Sequence, residues 1–283
     1  MADSPILVQT APPARIITPT MLIALVILGG WLVTALAASA IAPYDPDAID
    51  IMNMLSPPSA AHWFGTDQVG RDVFSRVLFA SRVDLLLCVV GVLPPLLIGT
   101  TIGLLSGYFG GVVDNVFMRI YDLTVAFPFF VLVLAIVGVL GPGLLNFILA
   151  LTLVGWVSYA RLVRAQVLTI RESEYIQAAK CLGYQPATIL SHHVLPNAVG
   201  PVIAYAVSDA VLVMLAGASF GFLGMGAQPP LAEWGVMIAD GQAFVQQAWW
   251  ICLFPGLAAI SLGLGFALLG DGLGLLQRKG VTA

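Results

Sequence analysis

Apolar runs of about twenty residues recur along this chain, each cut off by a short polar or Pro/Gly-rich segment. A run of that length matches one helical crossing of the ~30 Å hydrocarbon core of a bilayer. Lipid offers the backbone no hydrogen-bond partner, so a chain of such runs folds as helices that satisfy their own N–H and C=O groups. Only 9% of the residues are charged and 59% are hydrophobic, whereas a soluble domain carries about 25% charge. The expected fold class is all-α: a polytopic membrane helix bundle with six transmembrane helices, its surface covered by the lipid bilayer.

The runs place the spans. Residues 1–19 form a polar tail with Arg15 close to the first span, which covers 20–42 and ends at Pro43-Tyr44-Asp45-Pro46. That first run is long enough to stay as an anchor, and no cleavable leader is expected. Residues 43–82 are the largest polar segment and group with the first span as one unit, 20–82. In it, Gly65-Thr66-Asp67 and Gly70-Arg71-Asp72 are turn chemistry leading into a helix from about Arg71. Bracing of the bundle is the favoured role of this segment, over contact with a solute.

A five-helix core, 83–270, follows. Its first span covers 85–107, where Gly99, Gly103, Gly107 and then Gly111 recur every four residues. That spacing stacks the glycines on one helix face and lets another helix approach the backbone. Residues 108–122 read as a short turn with Asp114, Arg119 and Asp122. The run 123–156 is too long for one span and breaks at Gly141-Pro142-Gly143, giving two antiparallel spans, the first kinked at Pro128 and the second closed by Arg161 and Arg164. The fifth span covers 196–215. The Gly/Pro-rich but apolar stretch 217–238 reads as a re-entrant or surface-lying piece, with Glu233 and Asp240 solvated. The sixth span covers 248–269, and 271–283 is a tail with Asp271, Arg278 and Lys279. Cys88, Cys181 and Cys252 are widely spaced and expected to be free thiols.

Basic residues orient a membrane protein. Of the 11 Lys and Arg residues, Arg15, Arg119, Arg161, Arg164, Arg171, Lys180, Arg278 and Lys279 fall on one side, and Arg71, Arg76 and Arg82 on the other. This split puts both termini in the cytoplasm, along with the loop 172–197.

Several chemistries fail on their own terms. A phosphate-binding loop needs Gly-Lys-Ser/Thr, but Lys180 precedes Cys181 and Lys279 precedes Gly280. Energy must come from another subunit or an ion gradient. Gly217-Ala218-Ser219-Phe220-Gly221 matches a hydrolase elbow as a string only, since it lies in an apolar membrane stretch. His192 and His193, adjacent on a helix, point about 100° apart and do not converge on a metal. Catalytic and metal sites are therefore expected to be absent. Asp209, inside the fifth span, is a candidate for the translocation path or an interior hydrogen-bonded acid.

The loop 172–197 carries the most information. Ser173 is placed to cap a helix and Glu174 sits in its first turn. Gln177, Ala178, Ala179 and Lys180 continue it, and Gly183 is suited to the left-handed stop. Pro186 delays a second helical piece over 187–195, and Pro196 opens the next apolar run. Ala178 and Ala179 leave a bare strip for close approach of another surface.

Gln177-Ala178-Ala179, then Gly183, then Leu195-Pro196 resemble the "EAA" loop of ABC-importer permeases. Gln177 stands where that pattern has glutamate, and His193 where it has isoleucine. The string GTDQVGRDVFSR, 65–76, resembles the signature that follows the first span in the dipeptide, oligopeptide and nickel permeases.

The resemblance implies a permease subunit of a bacterial inner-membrane importer, multi-pass, taking up di- or oligopeptides or nickel chelates. It implies a cytoplasmic coupling-helix loop built from Ser173, Glu174, Gln177, Ala178, Ala179, Lys180, Gly183, Leu195 and Pro196. Its partners would be a homologous permease subunit in a heterodimer, two ABC ATPase subunits and an extracytoplasmic substrate-binding protein, with no nucleic acid. No cofactor is expected in this chain, because ATP and Mg would bind the ATPase subunits. The alternative, an ion-gradient-driven secondary transporter, would want several intramembrane ionisable residues.

Overall fold

In the computed structural model, residues 18–280 are described. Residues 1–17 of the expected 1–19 tail, with Arg15, and residues 281–283 lie outside them. Helix α1 (Pro19–Ile41) opens where the Thr18 hydroxyl accepts a hydrogen bond from Met21 N at 3.3 Å. α2 (Val73–Phe109) is a single 37-residue helix that carries Pro94 and Pro95 inside it. Its N-cap, Asp72, accepts from Ser75 N at 2.7 Å, so the helix begins close to the start expected at about Arg71 and takes in residues 73–82.

α2 and α5 (Leu144–Ile170) form the closest pair. A methyl group placed on Gly99 would lie 2.3 Å from the Trp156 carbonyl oxygen, and one on Gly103 would lie 2.6 Å from that of Ala160. Gly107 meets Val167 in the same way, at 2.8 Å. The fourth glycine departs from this ridge. α2 stops at Gly110, and Gly111, with φ +54°, turns the chain into α3 (Gly111–Val125) with nothing packed against it.

Residue numbers rise together along the α2–α5 contact, so the two helices run parallel. The chain between them must return across the bundle. It does so as α3 and α4 (Phe129–Leu140), which meet at an 89° bend. The expected turn at 108–122 is thus helical. The expected third span is a broken one, because α4 alone has 12 residues, about 18 Å at 1.5 Å per residue. Proline disfavours helical geometry in the residue before it, and Pro128 ends one helix instead of bending it.

α7 (Pro186–Phe222) continues from the loop straight into the membrane. It runs antiparallel to α2, with Val213 over Gly91 and Leu87 against Gly217. Gly217 and Gly221 lie within this helix, so the irregular stretch expected over 217–238 begins only after Phe222. There a turn leads into the short α8 (Trp234–Gln242). α9 (Trp250–Gly280) extends well past residue 269 and absorbs most of the expected tail. It lies antiparallel to α1: Met21 covers Gly272, Leu28 covers Gly265, and Trp31 Nε1 donates to Ser261 Oγ at 2.9 Å.

Among the described residues five helices are long and apolar enough to cross a membrane, six with the bent pair counted as one span. α6 (Glu174–Cys181) lies at the C-terminal end of α2, where α1 begins and α9 ends. The segment 43–72 lies at the opposite end. Leu22, Val26, Val33 and Leu36 of α1 are all more than half exposed, as expected for a face whose solvent is lipid.

The opposite end is held by charge. Buried Asp67 accepts from Val69 N and Arg71 N, and its other oxygen takes Arg71 Nε at 2.6 Å. Arg71 also faces Asp240 of α8 at 3.6 Å. His62 Nδ1 lies 2.9 Å from Asp72, and Trp250 Nε1 donates to the Thr66 carbonyl at 3.0 Å. These bonds pin the segment to α2, α8 and α9, the geometry of a brace. Among the described residues Cys88, Cys181 and Cys252 are free.

Candidate functional site

α6 is fixed at both of its ends. Ser173 stands at the N-cap, but its hydroxyl donates back to the Ile170 carbonyl instead of capping α6. Glu174 in the first turn and Lys180 in the last complement the helix dipole. Gln177 Nε2 donates to the Arg171 carbonyl at 3.0 Å, and Arg171 Nη1 donates to that of Gly107 at 2.8 Å. The Lys180 ammonium lies 5.8 Å from the centre of the Tyr108 ring. At the C-terminus Gly183 takes φ +80°. Gly183 N bonds to the Lys180 carbonyl and Tyr184 N to that of Ala179, the paired bonds of a Schellman stop.

The two alanines do not form one strip. Ile176 and Ala179, three residues apart on one face, are buried against the bundle, and Ala178 is exposed. The bulk of Ile176 decides which face turns inward. The outward face presents Tyr175, Ala178 and Leu182, with Tyr184 beside it, and Leu182 is 76% exposed.

Leu195 and Pro196 do not end a helical piece. The stretch Ile189–Val194 is π-helical, and Leu195 N bonds to the Leu190 carbonyl. A widened turn accommodates a residue with no N–H to give. Asn197 Nδ2 donates to the His193 carbonyl at 2.6 Å, and the helix runs on. His192 pairs with Ser191. Among the described residues no three His, Cys, Asp or Glu side chains gather as a metal site.

A cavity of about 450 Å³ opens half-way along the bundle. Gly91, at the midpoint of α2, and Pro95 form one wall, and Phe129 and Phe130 at the start of α4 form another. Leu151, Val154 and Leu212 extend the apolar lining, and Ser158, Tyr205 and Asp209 supply the polar part. The Tyr159 hydroxyl donates to Asp209 Oδ2 at 2.7 Å. Among the described residues no Lys, Arg or His forms an ion pair with Asp209.

A second intramembrane acid escaped the sequence reading. Asp84 lies on α2, one residue before the expected span, and is 3% exposed. Its partner is Glu233, which is 1% exposed and not solvated as expected. Glu233 caps α8 by accepting from Gly235 N at 2.8 Å and Val236 N at 2.9 Å. Asp84 Oδ2 accepts from Trp234 N at 3.3 Å, which sets its carboxyl group beside that of Glu233. Two buried carboxyl groups side by side disfavour ionisation of both at once. Burial pushes the Glu233 carboxyl above the ordinary carboxylate range. A methyl on Gly221 would lie 2.2 Å from Glu233 Oε2, so the pair pins α2, α7 and α8 together.

Asp84→Asn, whose amide keeps both a donor and an acceptor, is expected to leave the melting temperature of the purified protein within a few degrees. Glu233→Ala leaves the Gly235 and Val236 N–H groups unpaired, at about 1–3 kcal/mol each, and is expected to lower it well beyond that. Equal melting of the two variants would contradict the capping role of Glu233.

Residues 99–282 match the family described as binding-protein-dependent transport system inner membrane component. The chain belongs to this family. The permease is thus a multi-pass inner-membrane component of a transport system, and α6 and Asp209 fall within the matched residues. It is 43% identical over 253 residues, 89% of its length and 82% of the relative's, to the probable D,D-dipeptide transport system permease protein DdpC of Escherichia coli K12. It is 40% identical to the dipeptide transport system permease protein DppC of Alkalihalophilus pseudofirmus, over 89% of its own length and 83% of that chain. It is 39% identical to the glutathione transport system permease protein GsiD of Pectobacterium atrosepticum, over 82% and 77%. The permease is thereby an ABC-importer permease of the peptide-transport group.

Proposed function

We propose that the permease is one of two homologous membrane subunits of an ATP-driven importer for short peptides. Two ATPase subunits sit on the cytoplasmic side of the permease pair, where α6 docks, and a solute-loaded binding protein docks at the end braced by residues 43–72. The observation that carries this reading is the mounting of α6. It is tied to α2 and α5, runs through one glycine turn into α7, and offers Tyr175, Ala178 and Leu182 outward. A stiff element so attached passes rigid-body motion to the spans. ATP and Mg belong to the motor subunits.

The names of the three relatives support short peptides over nickel chelates as the solute. The cavity beside Asp209 is this subunit's share of the path. Arg119, Arg161, Arg164, Arg171 and Lys180 cluster toward the α6 end, and Arg71, Arg76 and Arg82 toward the other, which supports cytoplasmic termini.

Co-purification with the neighbouring subunits, followed by ATP hydrolysis assays with peptide-loaded binding protein, tests the assignment. Peptide-stimulated hydrolysis is expected, and uptake driven by a proton gradient without ATPase subunits would overturn it. A cysteine placed at Ser59 is expected to react with impermeant thiol reagents from outside the cell only. Labelling from the cytoplasm alone would invert the orientation.

A further inference from the structure

We propose that Asp209, held by Tyr159 and flanked by Tyr205, is a recognition point for the ammonium group of a short peptide crossing the membrane. The inference rests on the importer reading above and adds a specificity to it.

The cavity is the right place and size. It lies at mid-depth, and about 450 Å³ falls within the ~300–1,000 Å³ of small-molecule sites. Its chemistry is lopsided. Most of the lining is Gly, Pro, Phe, Leu and Val, indifferent to which side chain passes. The polar groups gather on one side, where Asp209 is the only charged residue of the lining.

Tyr159, fully buried, spends its hydroxyl on Asp209 Oδ2. This fixes the carboxylate, and Oδ1 has no hydrogen-bond donor among the described residues. An acid with no cationic partner is costly in a membrane, and a passing cation offsets that cost. The Tyr205 ring packs edge-on against Tyr159 at 5.1 Å and lines the same cavity, where an aromatic face attracts an ammonium. A cation is thus favoured by charge, by hydrogen bonding and by the neighbouring ring. Peptides with unlike side chains have a free amino terminus in common, so one such point serves many of them.

The test uses the whole complex in proteoliposomes, with the dipeptide Ala-Ala as probe. Asp209→Asn is expected to cut Ala-Ala import per ATP hydrolysed at least tenfold, while loaded binding protein still stimulates hydrolysis. Asp209→Glu is expected to keep most of the import. Wild-type import per ATP in Asp209→Asn would overturn the proposal, as would loss of stimulated hydrolysis in that variant, which would mark a structural role. An inert wild-type complex would instead overturn the importer reading itself.

A second measurement addresses the ammonium directly. Ser158→Cys, in a Cys181→Ser background, places a thiol on the cavity wall. Millimolar Ala-Ala is expected to slow its alkylation at least threefold, N-acetyl-Ala-Ala to leave it unchanged, and Asp209→Asn to abolish the protection. Equal protection by both peptides, or by neither, would refute the assignment.

Discussion

Replacing Gly103 with leucine is expected to stop the permease from accumulating as a folded bundle. A Cβ at that position would lie 2.6 Å from the Ala160 carbonyl oxygen, 2.7 Å from Val163 Cβ and 3.1 Å from Arg164 N. Two of these three atoms are backbone and cannot rotate away. Overpacking costs about 1–3 kcal/mol where side chains are able to yield, and here α2 and α5 would have to separate instead. Because the same ridge continues through Gly99 and Gly107, the separation would spread along the pair. Gly138→Leu is the control, since nothing lies within 4 Å of a Cβ there. Membrane yield and the melting temperature of detergent-purified protein are the readouts. A Gly103→Leu protein that purifies and melts like the wild type would show that α2 and α5 do not pack as described.

Gly183→Pro should act on transport and leave the bundle intact. Gly183 holds φ +80° and gives its N–H to the Lys180 carbonyl, whereas proline is fixed near −65° and has no N–H. The stop of α6 would be lost, and with it the angle at which α6 meets α7. Nothing packs around a side chain at this position, so yield and insertion are expected to be unchanged. Uptake is expected to fall at least tenfold, with hydrolysis no longer responding to loaded binding protein. Gly183→Ala pays about 1–2 kcal/mol for the left-handed geometry and should retain part of the activity. Normal uptake in Gly183→Pro would rule out a role for the α6 turn in coupling.

The sequence made some of this architecture visible and hid the rest, for physical reasons. Apolar runs mark crossings because lipid imposes a length, and the repeat at Gly99, Gly103 and Gly107 marks a face because a helix repeats its faces near every fourth residue. Gly183 could be assigned because few residues suit a left-handed stop. The 89° bend before α4 was hidden by a run that stays apolar on both sides of it, and Pro128 gives the place of a break but not its angle. The inward turn of Ala179 depends on the neighbouring Ile176 finding a pocket in the bundle. Glu233 lies in a stretch whose composition suits a wet loop, and its burial is set by Asp84, distant in the chain. Asp209 was picked out because an acid inside a span is conspicuous. The cavity beside it needs four helices to exist, and no local pattern announces it.

The unbroken course of α7 has a mechanical meaning. The helix is about 55 Å long at 1.5 Å per residue, and a tilt of about 5° about its far end displaces the near end by about 5 Å. Its far end is clamped by Glu233 and its near end is joined to α6, so the natural motion is a swing hinged at the Glu233 end. Asp209 and Tyr205 ride on the shaft between hinge and handle, so a push at the α6 tip would reshape the cavity wall without any relay of side chains.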